Sequence, residues 1–477
     1  MIALTLGELA GIVEGELAPG TDPAAVLRAP AFFDSREPVP GGLFAAFDGA
    51  NTDGHEYAAA AIGAGAVAML GSRDVGVPGV IVPDVQAALG RLAREVLRRL
   101  PEITVIALTG SSGKTSTKDM LGQVLAAHAP TVATEGSFNN EQGLPLTVLR
   151  VEEGTRYLVL EMGARGVGHI TRLLGVARPD VGIVTSVALA HVEYFGDLDG
   201  VARAKGELVA GLPPTGVAVL NFDDHRVARM ADFSPCPVLG YAVRGDAVGG
   251  DGVHAGTSVR AGADVWAERV SLDAELRPSF RLVTPWGKAE VDLSLHGVHQ
   301  VGNALAATAA ALWCGVPLDA VVASLADVSA SPLRMEVRHP AGGPTLLVDC
   351  YNANPASTEA ALRSLAAISA ARRVALLGVM AELGADTASE HLRILSVAAA
   401  LGIEVVGFAT DLYGGPSVDG IDEAVGLLRS TDATGAVLVK GSRVARLEDV
   451  VRAFDGQSPS PVEGPVASTS TREESSP

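Results

Sequence analysis

Short, unbroken apolar runs, bounded by glycine, proline or acidic residues, set the rhythm of this chain. Val105-Ile106-Ala107-Leu108, Tyr157-Leu158-Val159-Leu160 and Val181-Gly182-Ile183-Val184 are three of them. Runs this short read as strands buried on both faces, the pattern of a parallel sheet covered by helices. Helical spacing lies between them. From Val85 to Leu100 apolar residues recur at three- and four-residue intervals with arginines opposite, and Pro101 ends the helix. Ala66–Leu70 and Gly79–Val82 read as earlier strands. Between about Val253 and Leu295 the pattern changes to period two, as in Phe280-Arg281-Leu282-Val283 and Ala289–Leu293, which predicts an antiparallel appendage. An alanine-rich helix follows over Asn303–Trp313. Thr345–Asp349, Val374–Gly378, Glu404–Phe408 and Ala436–Val439 then alternate with helical segments, as in a Rossmann-like, doubly wound fold.

The fold class is therefore α/β with three domains. A small N-terminal α/β domain covers 1–101; a central domain with a mostly parallel sheet, P-loop ATPase-like by its Gly110-Ser111-Ser112-Gly113-Lys114-Thr115 loop, covers 102–331; and the doubly wound C-terminal domain covers 332–456. Residues 457–477, rich in Ser, Pro, Thr and Glu, read as a disordered tail.

Composition narrows the function classes. With 48% hydrophobic and 19% charged residues, large buried cores are expected. The net charge of −19 argues against non-specific nucleic-acid binding, which needs a positive field. Anionic small substrates stay open, because local cations set the field inside a cleft. Cys236, Cys314 and Cys350 are too few and too scattered for a disulfide framework or a zinc site. No apolar run is long enough to span a membrane and Met1–Leu6 lacks a basic leader, so a cytoplasmic chain without membrane insertion is expected.

The chemistry concentrates at strand ends. Gly110-Ser111-Ser112-Gly113-Lys114-Thr115-Ser116 leaves a strand and opens a helix, a setting in which backbone N–H groups and a lysine meet phosphate. The usual spacing would put glycine at 108. Leu108 stands there, so the loop is the tighter Gly110-x-x-Gly113-Lys114-Thr115. Lys114 is placed for β/γ-phosphates and Thr115 for Mg²⁺. Glu161 ends a strand, where it is either a Mg²⁺ ligand or an ordinary strand-end acid. His191 follows another strand and reads as structural or functional. Lys205 reads locally as a solvated helix lysine. Asp349, Tyr351, Asn352 and Asn354 gather at a strand end as a polar floor. An Asx turn with a helix cap explains Asn354 but not all four.

Together these residues resemble the Mur ligase family, over nearly the whole chain to about Phe454. The resemblance is carried by Asp34-Ser35-Arg36, Thr109–Thr115, Asn139-Asn140-x-x-Gly143-x-Pro145, Glu161-Met162-Gly163-Ala164 and His191-Val192-Glu193-x-Phe195-Gly196. Asn303–Ala307, Tyr351–Pro355, Met380–Gly384 and Lys440–Arg443 complete it. The Tyr-Asn-Ala-Asn and Met-Ala-Glu-Leu-Gly stretches resemble the branch that adds D-alanyl-D-alanine. The Asp-Asn-Pro-Arg motif of the branch that adds the third residue is absent.

The resemblance implies ATP-dependent amide formation. D-alanyl-D-alanine is joined to UDP-N-acetylmuramoyl-tripeptide through an acyl phosphate in peptidoglycan precursor synthesis, giving ADP and phosphate. Two unit charges ~4 Å apart repel by roughly 4 kcal/mol at an effective dielectric of about 20, so divalent cations are required, and two Mg²⁺ sites are implied. Thr115 and Glu161 are assigned to one Mg²⁺ and His191 to the other. Lys205 matches the lysine that the family carries as a carbamate. Lys114, Lys205 and His191 are the expected catalytic residues. Asn303 and Arg334 match contacts to adenine and phosphates, and Asp349 a ribose contact. Ser35, Arg36, Asn51 and His55 should hold the UDP end, Asn139 and Asn140 the muramoyl-peptide, and Asn352 and Asn354 the dipeptide. A monomer is expected.

Departures from the family pattern are Gln300 for asparagine, Leu333 where glycine is common, Val379 for aspartate, and Ser137-Phe138 for Asn-Leu. Two alternatives fit the sequence less well. Another ligase of the superfamily, such as a folylpolyglutamate synthase, would lack the UDP module announced by Asp34-Ser35-Arg36. A P-loop switch protein would leave Glu161, His191 and the third domain unexplained.

Overall fold

The structure, a computed structural model, describes residues 1–49, 52–136, 138–189, 195–244 and 262–457. Asn51, Ser137 and His191, and the tail from residue 458, lie outside the described residues. Three larger sheets organise the chain, as the α/β pattern predicts.

The first sheet runs Glu16–Leu17, Gly79–Ile81, Ala68–Gly71, Leu43–Ala45, Ala31–Phe32, parallel except at Glu16–Leu17. Helix Val85–Arg99 leaves it, capped by the Asp84 carboxylate on the Ala87 N–H (2.9 Å). Leu89, Leu92, Ala93 and Val96 are fully buried and join a core shared with the central unit. Each buried leucine or valine contributes about 1.5–3 kcal/mol, enough to seat the first unit firmly.

The central sheet has nine strands. Thr104–Thr109 lies in its middle, parallel to Tyr157–Glu161 on one side and Val181–Val184 on the other. Register sets Leu108 opposite both Glu161 and Ile183, so these strands end at one level. That level is where helix N-termini and ligands meet in parallel sheets. Thr131–Ala133, Val217–Asn221 and Val238–Val243 extend the sheet, beyond what the apolar runs had marked. The expected antiparallel segment is present, with Val265–Leu272, Pro278–Thr284 and Gly287–Asp292 paired in sequence. It is not a separate appendage: Val265–Leu272 also pairs parallel with Val238–Val243 and continues the main sheet. The alanine-rich helix spans Gln300–Trp313 and packs on the P-loop helix Lys114–Ala126, its small side chains permitting close approach.

The third sheet orders Glu336–Arg338, Thr345–Val348, Ala436–Lys440, Arg373–Leu377, Glu404–Phe408, Ser417–Val418, parallel except at Glu336–Arg338. Among the described residues, no helix is long and apolar enough to cross a membrane.

Candidate active site

Two glycines shape the loop after Thr109. A Cβ on Gly110 would lie 1.9 Å from Thr185 Oγ1. Gly113 has φ +81°, and a Cβ there would lie 2.5 Å from Asn303 Oδ1. Neither position admits a side chain. The segment after Val181–Val184 holds the loop in place. The Ser111 N–H donates to Ser186 O and the Ser112 N–H to Ser186 Oγ, both at 2.9 Å. The Thr185 hydroxyl donates to Ser112 O at 2.6 Å. The amides of Ser111 and Ser112 are thus engaged internally. The first-turn N–H groups of Lys114, Thr115 and Ser116 have no intrahelical acceptors and form the anion-facing end.

Glu161 is 2% exposed. Its carboxylate accepts from the Thr115 hydroxyl (3.0 Å) and the Asn139 amide (2.8 Å), two neutral donors. The Glu161 N–H donates to Thr134 Oγ1 at 3.0 Å, which fixes the strand end. A buried carboxylate beside a hydroxyl offers hard oxygen ligands of the kind Mg²⁺ takes. Lys114 Nζ donates to Gly110 O at 2.9 Å. Burial lowers its pKa; the Glu161 charge opposes that shift and Arg334 adds to it.

Lys205 is 4% exposed, on helix Leu198–Ala210. Burial and then the charge of Lys114 push it down from 10.5 to about 7. It shares a buried stripe with Val201, Leu208 and Val209, so it is no solvated surface lysine. Two lysines close enough to repel make a site that favours an anion.

The third unit reaches this centre. Arg334 Nη2 donates to Thr115 Oγ1 at 3.0 Å, and its guanidinium stacks 4.2 Å above the Tyr351 ring. Asn354 caps helix Pro355–Ala367, its Oδ1 taking the Ser357 N–H at 2.9 Å. Its Nδ2 donates to Ser111 O (3.2 Å) and Ser112 Oγ (3.3 Å) across the domain boundary. Asp349 pairs with the buried Lys440 (2.6 Å) and accepts the Met335 N–H (3.3 Å). Asn352 is exposed and turns its Oδ1 onto the Ala353 N–H (2.9 Å). Asn303 Nδ2 donates to Gln300 Oε1 at 2.8 Å, so Gln300 orients the asparagine expected at adenine. A cleft of about 810 Å³ opens beside Thr115, lined also by Thr134, Arg334, Tyr351 and Arg443. Lys114, Glu161 and Lys205 stand outside its lining.

The first-unit residues divide. Ser35 is half-buried, and Arg36 forks onto Asp34 (2.9 and 2.5 Å), whose pKa that bond lowers. The His55 side chain is sealed in: Nδ1 meets Asp53 (2.7 Å) and Nε2 accepts the Ser72 N–H (2.9 Å). It braces its loop and offers no free ring atom. Asp48, Asp53 and His55 have the spacing of metal ligands, but Arg73 bridges both carboxylates. Asn139 faces Glu161, whereas Asn140 Oδ1 accepts the N–H groups of Gln142 (3.1 Å) and Gly143 (2.8 Å) and shapes the next helix start.

Two departures acquire reasons. Leu333 has φ +62°, the left-handed region that glycine enters without cost. Phe138 packs edge-on against Phe33 of the first unit, centroids 5.9 Å apart. Sequence reasoning missed Lys118, buried and donating to Thr134 O at 2.7 Å. Its position four residues after Lys114, on a helix that buries Met120 and Leu121, was the available signal.

Known proteins align with this arrangement. The family model of the Mur ligase middle domain matches residues 108–311, and that of the Mur ligase, glutamate ligase domain matches residues 333–443. A UDP-N-acetylmuramoyl-tripeptide--D-alanyl-D-alanine ligase of Mycobacterium bovis is 43% identical over 435 residues, covering 84% of this chain and 82% of the relative. A crystal structure of MurF from Acinetobacter baumannii superposes with TM-score 0.83 and 28% identity, over 95% of this chain and 99% of that one. The MurF ligase from Thermotoga maritima, in complex with ADP, superposes with TM-score 0.77 and 26% identity, over 90% and 98%. The chain belongs to the Mur ligase family.

Proposed function

We propose that this chain uses ATP to join D-alanyl-D-alanine to UDP-N-acetylmuramoyl-tripeptide. The observation that carries the reading is convergence across a domain boundary. Arg334 and Asn354 of the third unit touch Thr115, Ser111 and Ser112 of the phosphate loop. A nucleotide-binding domain alone needs no such partner. A reaction that brings an acceptor to a phosphorylated donor does.

The γ-phosphate of ATP is assigned to the N-terminus of helix Lys114–Ala126, beside Lys114. The tripeptide carboxylate oxygen attacks that phosphorus, the bond to ADP breaks, and an acyl phosphate forms. The dipeptide amine then attacks the acyl carbon and loses its proton, and inorganic phosphate leaves with the original carboxylate oxygen. Thr115 and Glu161 would hold Mg²⁺, with His191 assigned by resemblance to a second ion. Bound there, Mg²⁺ supplies charge neutralisation for the approach of two anions. Lys114 keeps a cation against the transferring phosphoryl group. Arg334, aligned by Tyr351, adds a second cation from the opposite domain.

Lys205 is suited to a carbamate. That modification needs a neutral amine, and an ordinary lysine is neutral in only about one molecule in 2,500 at pH 7. Held at about 7, Lys205 is neutral roughly half the time. The carbamate would replace a repelling cation beside Lys114 with an anion. Ser35, Arg36 and Asn51 are assigned to the UDP end, with His55 bracing the loop behind them. Asn139 is assigned to the muramoyl-peptide, and Asn352 and Asn354 to the dipeptide. Asp349 and Asn303 are assigned to ribose and adenine. The chain acts as a monomer in the cytoplasm, where its nucleotide-linked substrate is made.

The test is ADP formation with UDP-N-acetylmuramoyl-tripeptide present, with and without D-alanyl-D-alanine. Sustained ADP formation that requires both supports the reading. Formation indifferent to the dipeptide overturns it.

A further inference from the structure

The cleft-lining face of the phosphate-loop helix grips the segment leading to the third unit. Thr115, Asp119 and Gln123 follow one another at four-residue spacing and so share one face of helix Lys114–Ala126. Each holds a different residue of that segment, which runs antiparallel to the helix. Gln123 takes both backbone groups of Ser329: its Oε1 accepts the N–H (3.0 Å) and the hydroxyl (3.1 Å), and its Nε2 donates to the carbonyl (3.0 Å). Asp119 Oδ2 accepts the Ser331 hydroxyl. Thr115 accepts from Arg334 (3.0 Å). Past this point the backbone is tightly specified, because Leu333 and Met335 sit at φ +62° and +51° on either side of Arg334.

Asp119 also connects inward. Its Oδ1 pairs with the buried Lys118 (2.5 Å), which donates to Thr134 O (2.7 Å). Thr134 Oγ1 in turn accepts the Glu161 N–H (3.0 Å). One chain of polar contacts therefore runs from the interdomain segment to the strand end that carries Glu161.

We propose that Asp119 and Gln123 are positioning residues: they fix the register of residues 329–334 on the phosphate-loop helix, so that Arg334 and Asn354 close over the nucleotide site. Neither is assigned to ATP or to either substrate. With the grip lost, the phosphate loop keeps its own contacts with ATP, but the third unit's side chains sample a larger volume and meet it less often. The kinetic readout rests on the ligase reading. The structural one does not.

The experiment compares Gln123→Ala, Ser331→Ala and Ser331→Thr with the wild type in two assays. Steady-state kinetics should show kcat falling about tenfold for the two alanine variants, the effect of ~1.4 kcal/mol, with KM for ATP changed less than threefold. Ser331→Thr, which keeps the hydroxyl, should restore kcat. Small-angle scattering with a non-hydrolysable ATP analogue should give the wild type and Ser331→Thr a smaller radius of gyration than the alanine variants. If Gln123→Ala fails to fold, the Ser331 pair carries the comparison. Unchanged kcat and superimposable scattering curves would overturn the proposal. So would a raised KM for ATP at constant kcat, which would make this helix face part of the nucleotide site. Scattering needs no turnover, so failure of the ligase reading alone leaves its result standing.

Discussion

Replacing Lys205 with methionine separates its cost to the fold from its use in catalysis. Methionine keeps an unbranched apolar stem of similar length and removes the ammonium. In the folded chain burial holds Lys205 at about 7 rather than 10.5. The unfolded chain therefore binds more protons between those values. The penalty for burying the ammonium is fully present below about pH 7 and is relieved as the pH rises toward 10.5. Linkage over that window gives a penalty of about 4 kcal/mol at pH 7 and about 2 kcal/mol at pH 9. In carbon-dioxide-free buffer, denaturant unfolding should show the wild type gaining about 2 kcal/mol relative to Lys205→Met between those two pH values. The variant should be at least as stable as the wild type at pH 7. Its turnover should fall on the order of 100-fold or more. Bicarbonate should raise wild-type stability at pH 7, by trapping the neutral amine, and leave the variant unchanged. A variant destabilised equally at both pH values, or turning over at the wild-type rate, would refute the reasoning.

Substitutions at three further positions test other parts of the site. Asn354→Ser keeps the helix cap and loses the amide that reaches the phosphate loop, so Tm should hold while kcat falls roughly tenfold; Asn354→Ala should also lower stability by about 1 kcal/mol. Gly113→Ala forces a left-handed residue against Asn303, and calorimetric titration with ADP should show affinity weakened by on the order of tenfold or more. His55→Ala leaves the Ser72 N–H without its acceptor; thermal unfolding should report a loss of about 1–3 kcal/mol, with KM raised for the UDP substrate and unchanged for ATP.

The strand ends were legible because unbroken apolar runs admit few other readings, and the register of Thr104–Thr109 with its neighbours then gathers Lys114, Thr115 and Glu161 without further information. Lys205 was legible only in part. Ala202-Arg203-Ala204-Lys205 looks solvated as a local string, and the stripe with Val201, Leu208 and Val209 becomes decisive only when the helix lies on the sheet. His55 entered through the resemblance alone, and no local pattern shows that Asp53 and Ser72 engage both its nitrogens. Leu333 kept a glycine conformation without the glycine, because contacts around Arg334 specify the path. The grip of Asp119 and Gln123 on residues 329–331 joins positions some two hundred apart in sequence, which no local pattern encodes.

The central claim is that the tripeptide carboxylate is phosphorylated before the amide forms. Labelling that carboxylate with oxygen-18 and analysing the inorganic phosphate released with ATP and D-alanyl-D-alanine tests it directly. One labelled oxygen should appear in each phosphate. Phosphate released without label while the amide product accumulates would contradict the account.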